Sequence, residues 1–118
     1  MTDEIRLTLP AQADFRHIAN LVVGGLAARR DITFDHLEDL QVAFDTVLGI
    51  REDDDDITVT MCVEDGHVRA KVGPFDADAL AQLDEGPGGL EPRHVLETVC
   101  DGVTVDGGYV ELTKQVAE

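Results

Sequence analysis

Four consecutive carboxylates, Asp53, Asp54, Asp55 and Asp56, form the densest group of potential ligands in the chain. Hard cations take carboxylate oxygens, so the run invites a calcium reading. An EF-hand loop, however, alternates its ligands, carries a central Gly and closes on a distant bidentate Glu, and none of these surrounds residues 53–56. The run reads instead as a solvent-facing turn, with contact to a basic partner surface as its second use. His17, His36, His67 and His94 fall on four different elements with no His-x-x-x-His pair, which predicts surface imidazoles and no metal cluster. Cys62 and Cys100 lie in apolar surroundings and form no CxxC, so both are predicted to be buried free thiols and neither a nucleophile. Asp14 with Arg16, and Glu97 with Arg93, read as exposed helix pairs.

The elements that must position these residues follow from hydrophobic period. Ile5, Leu7 and Leu9 alternate with Glu4, Arg6 and Thr8, the pattern of a half-buried strand that Pro10 ends. From about Asp14 to Arg29, Phe15, Ile18, Leu21, Val22, Leu26 and Ala27 recur at helical spacing. Arg29 and Arg30 complement the helix dipole there, and Gly24-Gly25 either weaken the helix or allow close packing. Thr33 is the expected N-cap of a second helix running to about Ile50, with an apolar stripe of Phe34, Leu37, Leu40, Phe44, Val47 and Leu48. The like charges of 51–56 oppose that helix's dipole and break it.

Segments 57–64 and 67–73 alternate across Asp65-Gly66, the signal of an antiparallel hairpin with a two-residue turn. Residues 76–83 make a short helix and 84–89 a loop. Leu90 to Cys100 resumes helical spacing, and a final hairpin turns at Gly107-Gly108. The order strand, helix, helix, hairpin, helix, hairpin predicts an α/β (α+β) two-layer sandwich. Its sheet has about five strands, mixed but mostly antiparallel, with the helices on one face.

The 118 residues suit one domain, 1–118, with a single core. Acidic residues outnumber basic ones 25 to 9, for a formal charge of −16. Such a field repels nucleic acid and anionic membranes and favours basic protein surfaces. Solubility, or adaptation to a salt-rich or GC-rich organism, explains the acidity equally well. The N-terminal decapeptide lacks the pattern of a secretory signal and no stretch approaches 18 apolar residues, so the cytoplasm is the expected location.

The order of elements and the local sequences resemble the anti-sigma-factor serine kinases of the partner-switching type, small members of the Bergerat-fold (GHKL) ATPase superfamily. The likeness spans nearly the whole chain. The stretch "LTLPAQADFRHIANLVVGGLAA" is similar to the family's first strand and helix, and "FDHLEDLQVAFDTVL" to its second helix. The close, "GGLEPRHVLETVCDGVTVDGGYVELTK", is similar to its Gly-Leu turn, last helix and terminal hairpin.

What the resemblance implies about chemistry is carried over position by position. The family's second helix holds a general-base Glu and, four residues later, an Asn that binds Mg²⁺; here those positions are Thr46 and Ile50. Thr46 is no useful proton acceptor near neutral pH, and Ile50 offers no oxygen to a hard cation. Asp45 is adjacent but points about 100° away on the helix. The family's adenine-reading Asp-x-Gly-x-Gly segment corresponds to 71–80, where Val72-Gly73-Pro74-Phe75-Asp76 keeps one Gly and lacks the adenine-reading Asp. The phosphate-cradling turn survives in part as Gly86-Pro87-Gly88-Gly89-Leu90, for which an ordinary loop is the competing reading. The segment from Phe75 to Gly86 is short for an ATP lid.

The resemblance therefore implies a vestigial nucleotide pocket at Thr46, Ile50, Val72, Gly73, Gly88 and Gly89, refilled by apolar side chains, with neither ATP nor Mg²⁺ as cofactor. It implies a non-catalytic regulator that binds a sigma factor or an anti-sigma antagonist, possibilities that extend to a homodimer. A working ATP- and Mg²⁺-dependent serine-protein kinase is the alternative, and an unrelated acidic α/β scaffold the third reading.

Overall fold

The computed structural model describes residues 3–10, 16–50, 56–88 and 90–116. In chain order the elements are β1 (Asp3–Leu9), α1 (Arg16–Arg29), α2 (Phe34–Leu48), β2 (Ile57–Glu64), β3 (His67–Gly73), α3 (Ala77–Ala81), a 3-10 turn (Gln82–Asp84), α4 (Pro92–Val99), β4 (Gly102–Asp106) and β5 (Tyr109–Gln115). The strands form one sheet in the order β1-β2-β3-β5-β4, and every ladder is antiparallel, where a mixed sheet was expected. This is the expected two-layer α+β sandwich, with the architecture of a GHKL-like fold.

Both hairpins turn where the sequence signals them. Asp65 and Gly66 have φ of 54° and 77°, and Gly107 and Gly108 have 60° and 87°. Positive φ at both central residues gives the turn whose twist matches that of the flanking strands. In β2, Ile57, Val59, Met61 and Val63 are buried, while Thr58, Thr60 and Cys62 on the opposite face are half-buried and Glu64 is exposed. The buried row joins one core with Val23 and Leu26 of α1, Leu40, Phe44 and Val47 of α2, and Leu96 of α4. The helices thus cover one face of the sheet. A half-buried ion pair pins them: Lys114 Nζ of β5 donates to Asp39 Oδ2 of α2 at 2.9 Å, with 14% of the Lys114 and 40% of the Asp39 side chain exposed.

Thr33 caps α2 as expected, its hydroxyl oxygen accepting from the His36 N–H at 3.4 Å. The helix stops at Leu48, short of the expected Ile50, because the Ile50 N–H reaches only as far as the Val47 carbonyl and tightens the last turn. Two apolar positions expected in the core are exposed, Leu21 at 69% and Phe34 at 70%. Val23, Leu26 and Ala27 form the buried stripe of α1, and at 100° per residue Leu21 lies about 140–160° away from its members Val23 and Leu26. Phe34 is the first residue of α2 and overhangs the layer. A Cβ placed at Gly24 or Gly25 would meet nothing within 4 Å, so close packing does not explain either glycine. Phe15 and Asp14, expected on the first helix, lie outside the described residues, as do the side chains of Arg16 and His17.

Candidate functional site

The positions matched to the family's base and metal ligand differ in setting. Thr46 is half-buried on α2 and its hydroxyl donates to the Val42 carbonyl one turn back, at 2.7 Å. That bond occupies the donor within the helix's own backbone. Ile50 is 2% exposed and belongs to the continuous core, as does Val72 of β3. Because α2 ends at Leu48, Ile50 lies beyond the helix, and the i, i+4 relation to Thr46 is not one of a shared helical face. Asp45 is exposed and accepts from Asn20 Nδ2 of α1 at 2.9 Å, which ties the two helices together at the surface.

Gly73 is explained by packing on the other side of the sheet. A Cβ there would stand 2.6 Å from the Tyr109 ring and 2.8 Å from the Gly108 carbonyl oxygen. The β3–β5 register pairs Val72 with Val110, which brings Tyr109 alongside Gly73 on the outward face. The glycine is therefore required by the aromatic ring laid across it. The following hinge is closed by the Phe75 N–H donating to the Gly108 carbonyl at 2.7 Å. Asp76 caps α3, its carboxylate accepting from the Ala79 N–H at 2.8 Å. Gly88 is exposed in the loop before α4, where the Leu90 N–H donates to the Pro87 carbonyl.

The structure thus brings Ile50 and Val72 into one core but leaves Thr46 at its margin, Gly73 under Tyr109 and Gly88 in an exposed loop. Gly89 lies outside the described residues, as do Asp53, Asp54 and Asp55; Asp56 is exposed. No group of three or more His, Cys, Asp or Glu side chains able to hold a metal occurs among the described residues.

One thiol and one ion pair differ from expectation. Cys62 is not buried in the core: the alternation of β2 turns it outward, where it is half-buried. Cys100 is buried, and burial pushes its thiol up to about 11, although the Lys114 ammonium opposes the shift. Arg93 pairs not with Glu97 but with Asp84, Nε donating to Oδ1 at 2.8 Å, and so staples the 3-10 turn to α4.

The region that sequence reasoning missed is the outward face of the sheet. Two adjoining hollows open on it, of about 290 and 410 Å³, sharing Thr60 and Lys71. Arg69 lines the first, Arg6 and Tyr109 the second. The period-2 pattern already held the signal: the polar positions of β3 are Arg69 and Lys71, two of only nine basic residues in the chain.

No family model matches the chain. Over nearly its whole length it is similar to the serine-protein kinase RsbW of Bacillus cereus (strain AH187), 25% identical over 140 residues that cover 97% of this chain and 86% of the relative. Similarity to the serine-protein kinase RsbW of Listeria monocytogenes serotype 4a (strain HCC23) is 27% over 144 residues, covering 100% of this chain and 90% of the relative. Both alignments are longer than the 118-residue chain, so both relatives carry internal stretches with no counterpart here. These full-length similarities support the resemblance to anti-sigma-factor serine kinases. No helix among the described residues is long and apolar enough to cross a membrane.

Proposed function

We propose that this chain is a non-catalytic regulator of the anti-sigma-factor type, acting by occupancy in partner switching, with a sigma factor or an anti-sigma antagonist as its protein partner. The observation that carries this reading is Ile50, 2% exposed inside the apolar core at the position matched to the Mg²⁺-binding Asn. An apolar side chain sealed there gives no oxygen to a hard cation, and opening the position to solvent would expose core surface. Thr46, with its hydroxyl bonded to the Val42 carbonyl, supports the same reading at the base position. The residues present at these two positions do not fit Mg-ATP. A protein without chemistry still competes for a surface and shifts a binding equilibrium by its differential affinity.

Thermal unfolding with and without 1 mM Mg-ATP tests the reading. A ligand at 100 times its Kd stabilises by about 2.7 kcal/mol, which a chain this size registers as a rise of several degrees. The expected result is no rise, together with ATP-independent competition between a purified sigma factor and its antagonist for this chain. A clear rise overturns it.

The second reading, a working serine-protein kinase, is favoured by the name that the full-length relatives carry. It predicts transfer of phosphate from labelled ATP to a Ser of the antagonist, and the first reading predicts none.

A further inference from the structure

The chain carries 25 acidic residues against 9 basic ones, yet the outward row of its central strand contains no acid. β3 stands third of five strands, and its outward residues are His67, Arg69, Lys71 and Gly73. The register sets Arg6 of β1 opposite Thr60 of β2, and Thr60 opposite Lys71. Two inter-strand spacings therefore separate Arg6 from Lys71, about 10 Å, while Arg69 and Lys71 stand about 7 Å apart along one strand. Hydroxyls of Thr58 and Thr60 and the Tyr109 ring fill the ground between the cations. Glu4 and Glu64 lie at the margins, on an edge strand and a strand end, and Glu111 is the one carboxylate lining the two hollows.

These cations are weakly engaged within the chain. Lys71 Nζ is 3.9 Å from Glu111, with the two side chains 50% and 44% exposed, and 4.8 Å from the Tyr109 ring centroid. Arg6 is 4.0 Å from Glu4. Arg69 is exposed and has no ion-pair partner among the described residues. Exposed pairs of this length hold their charges loosely. Asp106 of edge strand β4 joins Glu4 and Glu64 at the rim of the face, while Arg6, Arg69 and Lys71 line the hollows with Glu111, so positive charge is concentrated inside that rim.

We propose that this open face is a docking site for an extended acidic peptide segment of a partner protein, with carboxylates at alternate positions. Alternate residues of an extended chain project to one side about 7 Å apart, the spacing of Arg69 and Lys71 along β3. Along the strands the two joined hollows run from Cys62 to Thr58 of β2, four residue steps or about 13 Å, a length suited to a few extended residues and too long for a single small anion. Tyr109 offers a flat apolar contact at one end and Cys62 at the other. The site is independent of the helix-covered side, and it stands whether or not nucleotide binds there.

The test uses the full chain and a fluorescein-labelled peptide of five Asp-Thr repeats, read by anisotropy at low and at 0.5 M salt and mapped by amide NMR shifts. The expected result is binding at low salt that weakens at high salt, with shifts at Thr60, Arg69, Lys71 and Glu111. Arg69→Glu or Lys71→Glu weakens binding by about tenfold or more, and the neutral Arg69→Gln and Lys71→Gln weaken it less. The double variant Ala28→Glu/Ala81→Glu makes the same change in net charge at exposed helix positions and leaves affinity within about twofold. No binding at low salt, equal loss in the helix variant, or shifts confined to the helices overturns the proposal. So does sedimentation showing a dimer that Lys71→Glu dissolves, since a second copy would then be the occupant.

Discussion

The two faces of the sheet carry side chains from the same strands and have opposite physical characters. On the helix-covered face Ile50, Val59, Val72 and Val110 are packed out of water, and Lys114, the cation there among the described residues, is bound to Asp39 at 2.9 Å. On the open face Arg6, Arg69 and Lys71 reach solvent with partners no closer than 3.9 Å among the described residues. Side chains on one side are held by packing; loosely held charge on the other leaves cations free to exchange partners. The same strands thus present an apolar packed face at the positions matched to the family's nucleotide site and a polar, solvent-facing one opposite.

The sharpest way to break that comparison is to restore polar residues on the closed side. Thr46→Glu/Ile50→Asn should destabilise the protein by about 3–5 kcal/mol in urea unfolding, from lost apolar burial plus a buried amide without partners, and should hydrolyse no ATP. A near-neutral double variant would mean that the closed side has space for a ligand after all. Gly73→Ala should cost about 1–3 kcal/mol, because its methyl enters the Tyr109 ring and the Gly108 carbonyl. Part of that cost should vanish in a Tyr109→Ala background while the clash with the Gly108 carbonyl remains, a partial coupling that a double-mutant cycle measures.

A smaller effect compares the two thiols. Iodoacetamide at pH 8 should modify outward Cys62 and spare Cys100 in the folded protein, read by mass spectrometry. The Cys100 thiol sits above its ordinary value when folded, so the folded state holds that proton longer than the unfolded chain. Its contribution is therefore full below pH about 9 and lost as pH rises towards about 11. Cys100→Ala should show a shallower loss of stability across that window than the wild type. The smallest effect belongs to the open face, where Arg69→Gln and Lys71→Gln should each change stability by no more than about 0.5 kcal/mol.

Much of the scaffold was legible because its signals are local. Thr33 before an apolar stripe, and Asp65-Gly66 and Gly107-Gly108 between alternating runs, each specify a backbone conformation within a few residues. Cys62 was legible too, had its place in the β2 alternation outweighed its apolar neighbours. Leu21 was not, since a helical spacing admits more than one stripe until the sheet selects Val23, Leu26 and Ala27. The candidate site was less accessible to sequence reasoning. The row from Arg6 through Thr60 and Lys71 to Glu111 exists only once four strands are in register, and three of those residues are far apart in the chain. The reason for Gly73 is likewise tertiary, lying 36 positions downstream at Tyr109.

Tyr109 serves two positions of the open face at once. Its ring covers Gly73 and lies under the Lys71 ammonium. Positions 73 and 109 are consequently not free to change independently: a side chain at 73 requires a smaller residue at 109 first, and a shift of the Gly108 carbonyl as well. That order matters, because losing the ring also removes the aromatic support of Lys71. A chain that gained a bulkier residue at 73 would pass through an intermediate with an altered open face, so packing at one end of β3 constrains recognition in its middle.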